Sequence, residues 1–420
     1  MKCVFGQKMK NVKYILPLYM IPYESLTAFL GLTNSVAQVT PLVIFFAILT
    51  FPFYVKKIHF TPILILLILY FLYTMFLSFG YILYEVFNYV DFDLVLRVKS
   101  FFRQSASFLM GMLLFLYLRE IFVYLDEKVI FKHVLIASVP SILISIYQLI
   151  FLYSYEYRPH GMASEPSHFA EYMVFIVFSI LLMKGVFSDR KSINMLLIIA
   201  SVIAFMSTFS ATGIIRLVLL SIGLVIFVGG VKLRLYFILL LVLILTSSFI
   251  FISTNESSYM SVMIFSLYNT LVDGTGVFST SVVDRFFSFV FPLMGLFSSS
   301  VFIGYGFGGD SIHYAEYMPP VYSAVVTDIK SFGYSTTSLL GKVLVSSGFI
   351  GLFLYMFVFN IAFRLLKNKS QYNAVKAVIF AMLVYGCMGL GVFYAIYIWF
   401  WLAFVDSRII RSKLKLEVTR

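Results

Sequence analysis

The chain has 420 residues, of which 61% are hydrophobic and only 12% are charged. A soluble domain carries about a quarter charged residues, so this composition excludes a soluble enzyme and predicts an integral membrane protein. The net charge of +12 does not predict a nucleic-acid partner, because the basic residues separate apolar runs instead of clustering on a water-exposed face.

Apolar stretches long enough to cross a bilayer occur along the whole chain. Because a spanning helix needs roughly 20 mostly apolar residues, we expect an all-α polytopic membrane protein of about 12 transmembrane helices in a single integral membrane domain, residues 1–420. The first stretch contains Pro17, Pro22 and Glu24 and no clear cleavage site, which favours a retained helix over a signal peptide. The spans are expected near residues 14–32, 36–55, 60–84, 105–118, 129–153, 169–187, 193–211, 214–231, 235–253, 337–363, 374–391 and 392–406.

The positions of lysine and arginine predict the orientation of these spans. Cytoplasmic loops collect such residues, and placing both termini in the cytoplasm puts most of the 31 on the inner side. The same orientation places a long loop, residues 254–336, on the outer side between the ninth and tenth spans. Loops of this length are usually functional. Its apolar part, residues 282–302, is interrupted by Pro292 and Gly295, which favours an interfacial or re-entrant helix.

A dense polar segment lies immediately before the sixth span. Pro166 suits the first turn of a helix, and Ser164 or Ser167 is expected to cap that helix. The free N–H groups and the positive dipole of a helix start attract anions, and Arg158 and His160 lie just upstream. The segment therefore predicts an anion site at the outer surface. The alternative is an ordinary polar loop with a helix cap.

Glu165 and His168 are three residues apart, which places them on one face of the predicted helix, and Glu171 or Tyr172 continues that face. A carboxylate can orient an imidazole or share a proton with it, so this pair is a candidate for acid–base chemistry. The Glu-x-x-His spacing also occurs in carboxylate-bridged metal sites, but those sites need a second copy of the motif, which this sequence lacks. The two cysteines have no metal-ligand spacing. No metal or cofactor is therefore expected.

Two arginines farther along the chain are candidate anion ligands. Arg216 follows the turn from Ser210 to Gly213 and lies about one helical turn inside the eighth span. Its side chain either snorkels to the interface or faces an anion. Arg285 has Asp284 as its neighbour and is either an anion ligand or an interfacial anchor.

The stretch from Gly304 to Asp310 looks like a phosphate-binding glycine loop. A dinucleotide fold would need a strand before it, a helix after it and a soluble domain around them, and the sequence predicts none of these. Gly304, Gly306 and Gly308 are instead expected to form a tight turn that brings the backbone close to a ligand or another helix. His313, which follows, is either a second acid–base candidate or a surface histidine.

These elements resemble those of the O-antigen polymerases, within the wider group that includes the O-antigen ligases. The resemblance covers nearly the whole chain in its layout of many spans with one large outer loop. Locally it rests on short motifs, which are Arg158-x-x-Gly161, Ser164-Glu165-Pro166-Ser167, Ser210 to Arg216, and Arg285 followed by Gly304-Tyr305-Gly306-Phe307-Gly308.

The resemblance implies a metal-independent glycosyltransferase of lipopolysaccharide or related polysaccharide biosynthesis in the bacterial inner membrane. Such an enzyme transfers the growing glycan from undecaprenyl diphosphate to a new undecaprenyl-diphosphate-linked repeat unit at the periplasmic face, without a cofactor. Its partners would be the lipid-linked oligosaccharide, membrane lipid and a chain-length regulator protein, with no nucleic acid.

The same resemblance assigns roles to individual residues. A leaving pyrophosphate needs cations placed beforehand, and arginine suits this role because its planar fork binds phosphate oxygens bidentately. The residues expected to bind pyrophosphate are Arg158, Arg216, Arg285 and His160. The residues expected to supply the general base are Glu165 or His168, with His313 as the competing candidate.

Two other functions are alternatives. A ligase would share the donor but pass the glycan to the lipid A core, and the Ser-Glu-Pro-Ser element favours a polymerase. A flippase or transporter would place ionisable residues near the midplane of broken helices. Here nearly all outer-side charges lie in loops or near the surface, with Glu24 as the main exception.

Overall fold

The structure is a computed structural model that describes residues 13–22, 42–88, 94–152, 158–163, 165–183, 191–208, 210–228, 235, 242, 289–295, 302–309, 313, 338–367, 370–389, 393 and 395–418. Every regular element within these ranges is a helix, so the all-α prediction is confirmed for this part of the chain. Most of the predicted first and ninth spans, and most of the loop at 254–336, lie outside the described residues.

The helices are numbered here in chain order. They are α1 (Leu42–Tyr54), α2 (Pro62–Asn88), α3 (Leu94–Tyr124), α4 (Glu127–Phe151), α5 (Pro166–Leu181), α6 (Lys191–Ser207), α7 (Ala211–Phe227), α8 (Val290–Gly295), α9 (Leu339–Leu365), α10 (Asn373–Tyr385) and α11 (Ile396–Val418). Single 3₁₀ turns at Leu16–Met20 and Ser370–Tyr372 precede α1 and α10.

Four of the described helices, α2, α3, α4 and α9, are long and apolar enough to cross a membrane. They contain 27, 31, 25 and 27 residues. At a rise of about 1.5 Å per residue, each is longer than a hydrocarbon core of roughly 30 Å. Helix α2 carries exposed large apolar side chains, including Leu72, Phe76, Phe79 and Phe87, which suit contact with lipid. These helices identify a membrane protein.

Helix α3 is longer than the sequence predicted. The expected fourth span, 105–118, stopped where charged residues begin, because charges are costly inside a bilayer. The helix continues past both limits, since residues of other helices pair two of these charges. Arg97 Nε lies 3.1 Å from Glu85 Oε2 of α2, and Arg119 Nη1 lies 3.2 Å from Asp406 Oδ2 of α11. Both arginines are fully buried.

Helix α5 begins at Pro166, as the sequence predicted. Its N-cap is Glu165, whose side chain makes no capping hydrogen bond. Ser167 lies inside the first turn and donates its hydroxyl hydrogen to Glu165 Oε2 at 3.2 Å, so the prediction that Ser167 caps the helix is wrong. Ser164 lies outside the described residues. The helix includes a π-helical stretch, Met173–Phe178, and such stretches often accompany functional residues.

Contacts between helix ends divide the bundle into a loop end and a tail end. At the loop end, the Leu339 N–H at the start of α9 donates to the Gly389 carbonyl oxygen that follows α10. At the tail end, the Tyr372 hydroxyl before α10 donates to Glu127 at the start of α4, and the second half of α11 arrives there as well. The long helices α2, α3 and α4 run alternately between the two ends, since Glu85 near the end of α2 pairs with Arg97 near the start of α3, and α4 begins at Glu127 shortly after α3 ends.

Small residues let pairs of helices approach closely. Helix α3 packs along α11, and α7 packs along α10. A Cβ atom placed on Gly111 would lie 2.3 Å from the Trp399 ring, and one on Gly223 would lie 2.7 Å from the Ala377 carbonyl oxygen. Close backbone approach at small residues is a common basis of helix association in membranes, where lipid removes most of the hydrophobic driving force.

Candidate functional site

The loop before α5 is held by side chains of α4. Gln148 Oε1 accepts from the N–H groups of His160 and Gly161, each at 2.9 Å, and Gln148 Nε2 donates to the Gly161 carbonyl at 3.2 Å. Ser141 Oγ accepts from the Met162 N–H at 3.0 Å. Gly161 has a φ of 59°, a conformation that favours glycine. These bonds fix the polar segment at the loop end of the bundle.

His160 is half-buried, and one hydrogen bond sets the tautomer of its neutral ring. Nδ1 lies 2.8 Å from the Ala163 carbonyl oxygen, and because a carbonyl can only accept, Nδ1 carries the proton. Burial lowers the pKa of His160, while the hydrogen bond to Ala163 opposes this shift. The neutral ring can accept a proton at Nε2, and only the protonated ring could donate a charged hydrogen bond to an anion there.

Arg216 is the residue at which two candidate segments meet. It is buried in α7, whose N-cap Ser210 accepts from the Gly213 N–H. Its Nη1 donates to the Ser167 carbonyl oxygen of α5 at 2.7 Å, and its Nη2 lies 3.3 Å from Glu171 Oε2. The guanidinium turns into the bundle, so the interpretation that it snorkels to the interface is wrong.

Tyr385, at the end of α10, completes what we call the Arg216 cluster, with Ser167 and Glu171. Its hydroxyl accepts from Arg216 Nη2 at 2.7 Å, and its ring centroid lies 4.4 Å from the guanidinium carbon. Arg216 Nε has no hydrogen-bond partner among the described residues. A buried guanidinium with an unused N–H can donate to a further acceptor, such as a phosphate oxygen.

Sequence reasoning missed one member of this cluster and left another without a role. Glu171 was placed on the helix face after His168 with no function. An ionisable residue inside an apolar span is itself a signal of function, so Glu171 could have been found. Tyr385 is one of 29 tyrosines in the chain, and its local sequence gives no comparable signal.

The remaining candidate residues of this region differ in the exposure of their side chains. Glu165 is exposed, whereas Arg158 and His168 are half-buried. Arg285 lies outside the described residues. The structure therefore joins the first turns of α5 to Arg216, and positions for Arg158, His160 and Arg285 beside this guanidinium stay predictions.

The glycine turn, residues 304–309, is packed tightly among helices. Gly304, Gly306 and Gly308 have φ angles of 92°, 80° and 81°. A Cβ atom on Gly306 would lie 2.3 Å from the Ser78 Cα of α2, and one on Gly308 would lie 2.5 Å from the Phe101 nitrogen of α3. The turn thus brings its backbone against two helices, where a side chain at these positions would clash.

Side chains of α2 and α3 also bond the backbone of this turn. The Phe307 N–H donates to Ser78 Oγ at 2.7 Å, and the Gly308 N–H donates to Gln104 Oε1 at 2.8 Å. Both acceptors are buried. The N–H groups of the turn are used in packing against helices, which is a role that the sequence analysis kept open beside ligand binding.

Helix α9 is interrupted where it meets the glycine turn. Gly348 has φ 62° and ψ −165°, which breaks the helical path. The carbonyl oxygens of Val345 and Ser346 accept from the N–H groups of Tyr305 and Gly306, at 3.0 and 2.7 Å. In an unbroken helix these carbonyls would accept from residues one turn later. The glycine turn therefore replaces part of the hydrogen-bond ladder of α9.

A buried charge network, here called the Glu85 cluster, lies beside the glycine turn. Arg97 donates to the carbonyl oxygens of Phe307 and Tyr305 at 2.7 and 2.6 Å and pairs with Glu85. His313 Nε2 lies 2.7 Å from Glu85 Oε1, and the His313 ring stacks on Tyr305 with 3.9 Å between centroids. His313 is 8% exposed, so its interpretation as a surface histidine is wrong.

Both clusters offer cations and hydrogen-bonding groups. Within the parts of the chain that the structure describes, no group of three or more His, Cys, Asp and Glu side chains converges as a metal site would require. The Arg216 cluster presents a guanidinium beside a helix start, which suits an anion. The Glu85 cluster holds an imidazole against a carboxylate, which suits proton transfer.

Comparison with protein-family models, curated proteins and solved structures gives no match to this chain. The residues and the geometry of the two clusters are therefore the basis for assigning a function.

Proposed function

We propose that the protein polymerises lipid-linked oligosaccharide repeat units, as an O-antigen polymerase does. It would transfer the growing glycan from undecaprenyl diphosphate to a new undecaprenyl-diphosphate-linked unit. The observation that supports this best is the meeting of two candidate segments at Arg216. One segment supplies the helix start at Pro166, and the other supplies the guanidinium. A diphosphate would bind both features.

The transfer reaction requires cations that are already held in place before the reaction begins. The glycosidic bond to the lipid diphosphate breaks, and negative charge develops on the leaving phosphate oxygen. Arg216 and Arg158 would donate to the diphosphate, and Arg285 would add a third guanidinium. Glu171 and Tyr385 hold the Arg216 side chain rigid, so little reorganisation is needed when the charge appears.

The acceptor sugar hydroxyl must lose a proton as it attacks. Glu165, His168 and His313 are the candidate bases, and His160 is expected to contact the diphosphate. The reaction as proposed needs neither a metal ion nor a cofactor. The product is the lengthened glycan on the acceptor lipid, with undecaprenyl diphosphate released.

The membrane arrangement belongs to the same proposal. We place about 12 spans in a bacterial inner membrane, with both termini in the cytoplasm and the loop end facing the periplasm. The distribution of basic residues supports this orientation, because cytoplasmic surfaces are richer in lysine and arginine. At the tail end lie Lys56, Lys57, Arg119, Lys128, Lys132, Arg364, Lys367, Arg408 and Arg411, whereas the loop end holds Arg97, Lys99, Arg103, Arg158, Arg216 and Lys342.

The proposal is tested by Arg216→Ala and Arg216→Lys in a strain lacking the chromosomal gene. We expect Arg216→Ala to abolish chain growth on lipopolysaccharide gels, and Arg216→Lys to restore it poorly because a point charge loses the planar fork. The matched control is Arg103→Ala, since Arg103 is an exposed arginine at the same end of the bundle. Membrane levels of each variant are measured by immunoblot.

The pattern on the gel separates the alternatives. A lipid A core that carries one repeat unit in the deletion strain supports polymerisation. Long lipid-linked polymer that never reaches the core would instead mean a ligase, and a core without any repeat unit and without lipid-linked polymer would mean a flippase. Wild-type chain lengths with Arg216→Ala would contradict the role given to this guanidinium.

A further inference from the structure

A cavity of about 670 Å³ opens at the tail end of the bundle. It lies between the start of α4, the 3₁₀ turn before α10 and the second half of α11, and its walls include Lys128, Arg408 and Arg411. Its volume falls in the range of roughly 300–1,000 Å³ that is usual for small-ligand sites. The proposed transfer reaction uses none of these residues.

Arg408 is a buried cation whose hydrogen bonding is incomplete. Its side chain is 10% exposed, yet its Nη1 lies 3.6 Å from Glu127 Oε1 and its Nη2 lies 3.4 Å from the Phe122 carbonyl oxygen. Both distances exceed the usual N–H···O range. Arg408 Nε has no hydrogen-bond partner among the described residues. Burial lowers the pKa of Arg408, and Glu127 offsets only part of that shift.

The start of α4 forms another wall of the cavity. Asp126 is the N-cap of this 25-residue helix, but its side chain makes no capping hydrogen bond. Its carboxylate is bonded to Arg411 instead. The first turn of α4 therefore lacks the side-chain acceptor that an aspartate at this position usually supplies. An anion in the cavity would be favoured by these N–H groups and by the helix dipole.

The carboxylates that line the cavity are already engaged. Glu127 accepts the hydroxyl hydrogen of Tyr372, and burial together with this contact raises the pKa of Tyr372 to about 12. The tyrosine therefore remains a donor at neutral pH. Asp126 is paired with Arg411. The basic side chains of the cavity outnumber these two carboxylates, so the excess charge is positive.

We propose that this cavity binds a phosphate group, with Arg408, Lys128 and the start of α4 as its donors. The position of the cavity favours the headgroup of an anionic phospholipid as the source of this phosphate. Helices α3 and α4, both long enough to span, meet at this end, which places the cavity at headgroup depth. Basic pockets between helices at a membrane surface are typical sites for anionic headgroups. Free inorganic phosphate would bind to the same donors.

The test uses the purified full chain in detergent, examined by native mass spectrometry during titration with phosphatidylglycerol or phosphatidylcholine. We expect wild-type protein to retain phosphatidylglycerol in preference to phosphatidylcholine. Arg408→Gln should weaken that retention about tenfold, because a charge-assisted hydrogen bond contributes that much or more. Lys128→Gln is the second variant, since Lys128 is a proposed donor and is exposed, so its loss endangers folding less. Lys57→Gln, at an exposed lysine of the same end, is the matched control.

A competition arm with inorganic phosphate distinguishes the two sources. Displacement of the lipid by millimolar phosphate would support a site for free anions, and lack of displacement would support a lipid headgroup. The proposal is overturned if phosphatidylglycerol is retained no better than phosphatidylcholine. It is equally overturned if Arg408→Gln and Lys128→Gln retain the lipid as well as Lys57→Gln does. Neither result depends on whether the chain polymerises glycans.

Discussion

At Gly306 an added methyl group would meet the backbone of α2, 2.3 Å from the Ser78 Cα. The positive φ of 80° adds strain for any residue with a Cβ atom. We therefore expect Gly306→Ala to destabilise the protein by about 2–4 kcal/mol, from overpacking together with the left-handed conformation. The measurement is thermal unfolding of the purified protein in detergent, followed by tryptophan fluorescence.

Gly80→Ala is the control for this substitution. Gly80 is an exposed glycine of α2, and no atom lies within 4 Å of a Cβ atom placed there. Alanine should be neutral or slightly stabilising at that position, because it favours the helix. Equal melting temperatures for the two variants would show that the glycine turn is less tightly packed than the distances indicate.

Single residues were predictable from the sequence where their chemistry is unusual for their surroundings. Arg158, His160 and Arg216 stand out because ionisable groups are rare in so apolar a chain. The roles of Glu85 and Arg97 could not be predicted, since, besides each other, they contact groups more than 200 residues away, at the glycine turn and at His313. The sequence shows which side chains are costly to bury, and the fold determines which of them are buried together.

Helices were predictable where an apolar run and a start signal coincide. Helix α5 begins at the expected proline, and α9 (Leu339–Leu365) agrees closely with the span expected at 337–363. Helix α3 differed from the predicted span because its length depends on ion pairs to α2 and α11. The break in α9 was not predicted either, because it requires a separate segment to donate N–H groups to the α9 carbonyl oxygens that the break leaves without helical donors.

The contact between α7 and α10 gives a test at the level of helix packing. Alanine in place of Gly223 should gain up to about 1 kcal/mol of helix propensity. Its methyl group would lie 2.7 Å from the Ala377 carbonyl oxygen, and overpacking of this kind costs roughly 1–3 kcal/mol. We expect the clash to dominate, so that Gly223→Ala lowers the melting temperature and weakens chain growth by displacing Arg216.

Ile222→Ala serves as the comparison for this variant. Ile222 precedes Gly223 on α7 but is 39% exposed, so its truncation leaves the helix contact intact. A Gly223→Ala protein that melts at the wild-type temperature would mean that the two helices can separate slightly without cost.

For the whole molecule, the alternation of helices between two ends predicts opposite accessibility of two loops. Single cysteines are introduced as Lys57→Cys and Glu165→Cys in a chain whose Cys3 and Cys387 are replaced by serine. In intact spheroplasts, we expect a membrane-impermeant maleimide to label Glu165→Cys at the loop end. Lys57→Cys should be labelled only after lysis.

Arg103→Cys, at an exposed position of the loop end, should behave as Glu165→Cys does. Labelling of Lys57→Cys in sealed spheroplasts would reverse the proposed orientation or change the parity of the spans. The number of spans is harder to predict from the sequence than the presence of individual helices. Closely spaced apolar runs are ambiguous in the sequence, and several of them lie outside the described residues.

The bonds of Arg97 have a consequence for biogenesis. The carbonyl oxygens that Arg97 contacts belong to residues 208 and 210 positions later in the chain, so the ribosome delivers the arginine long before those acceptors exist. Glu85, only 12 positions earlier, is already present at that moment. The Glu85 carboxylate can therefore neutralise the newly inserted Arg97 while the following segments are still being inserted into the membrane. The glycine turn, which is synthesised later, then packs against an arginine whose charge is already paired inside the bilayer.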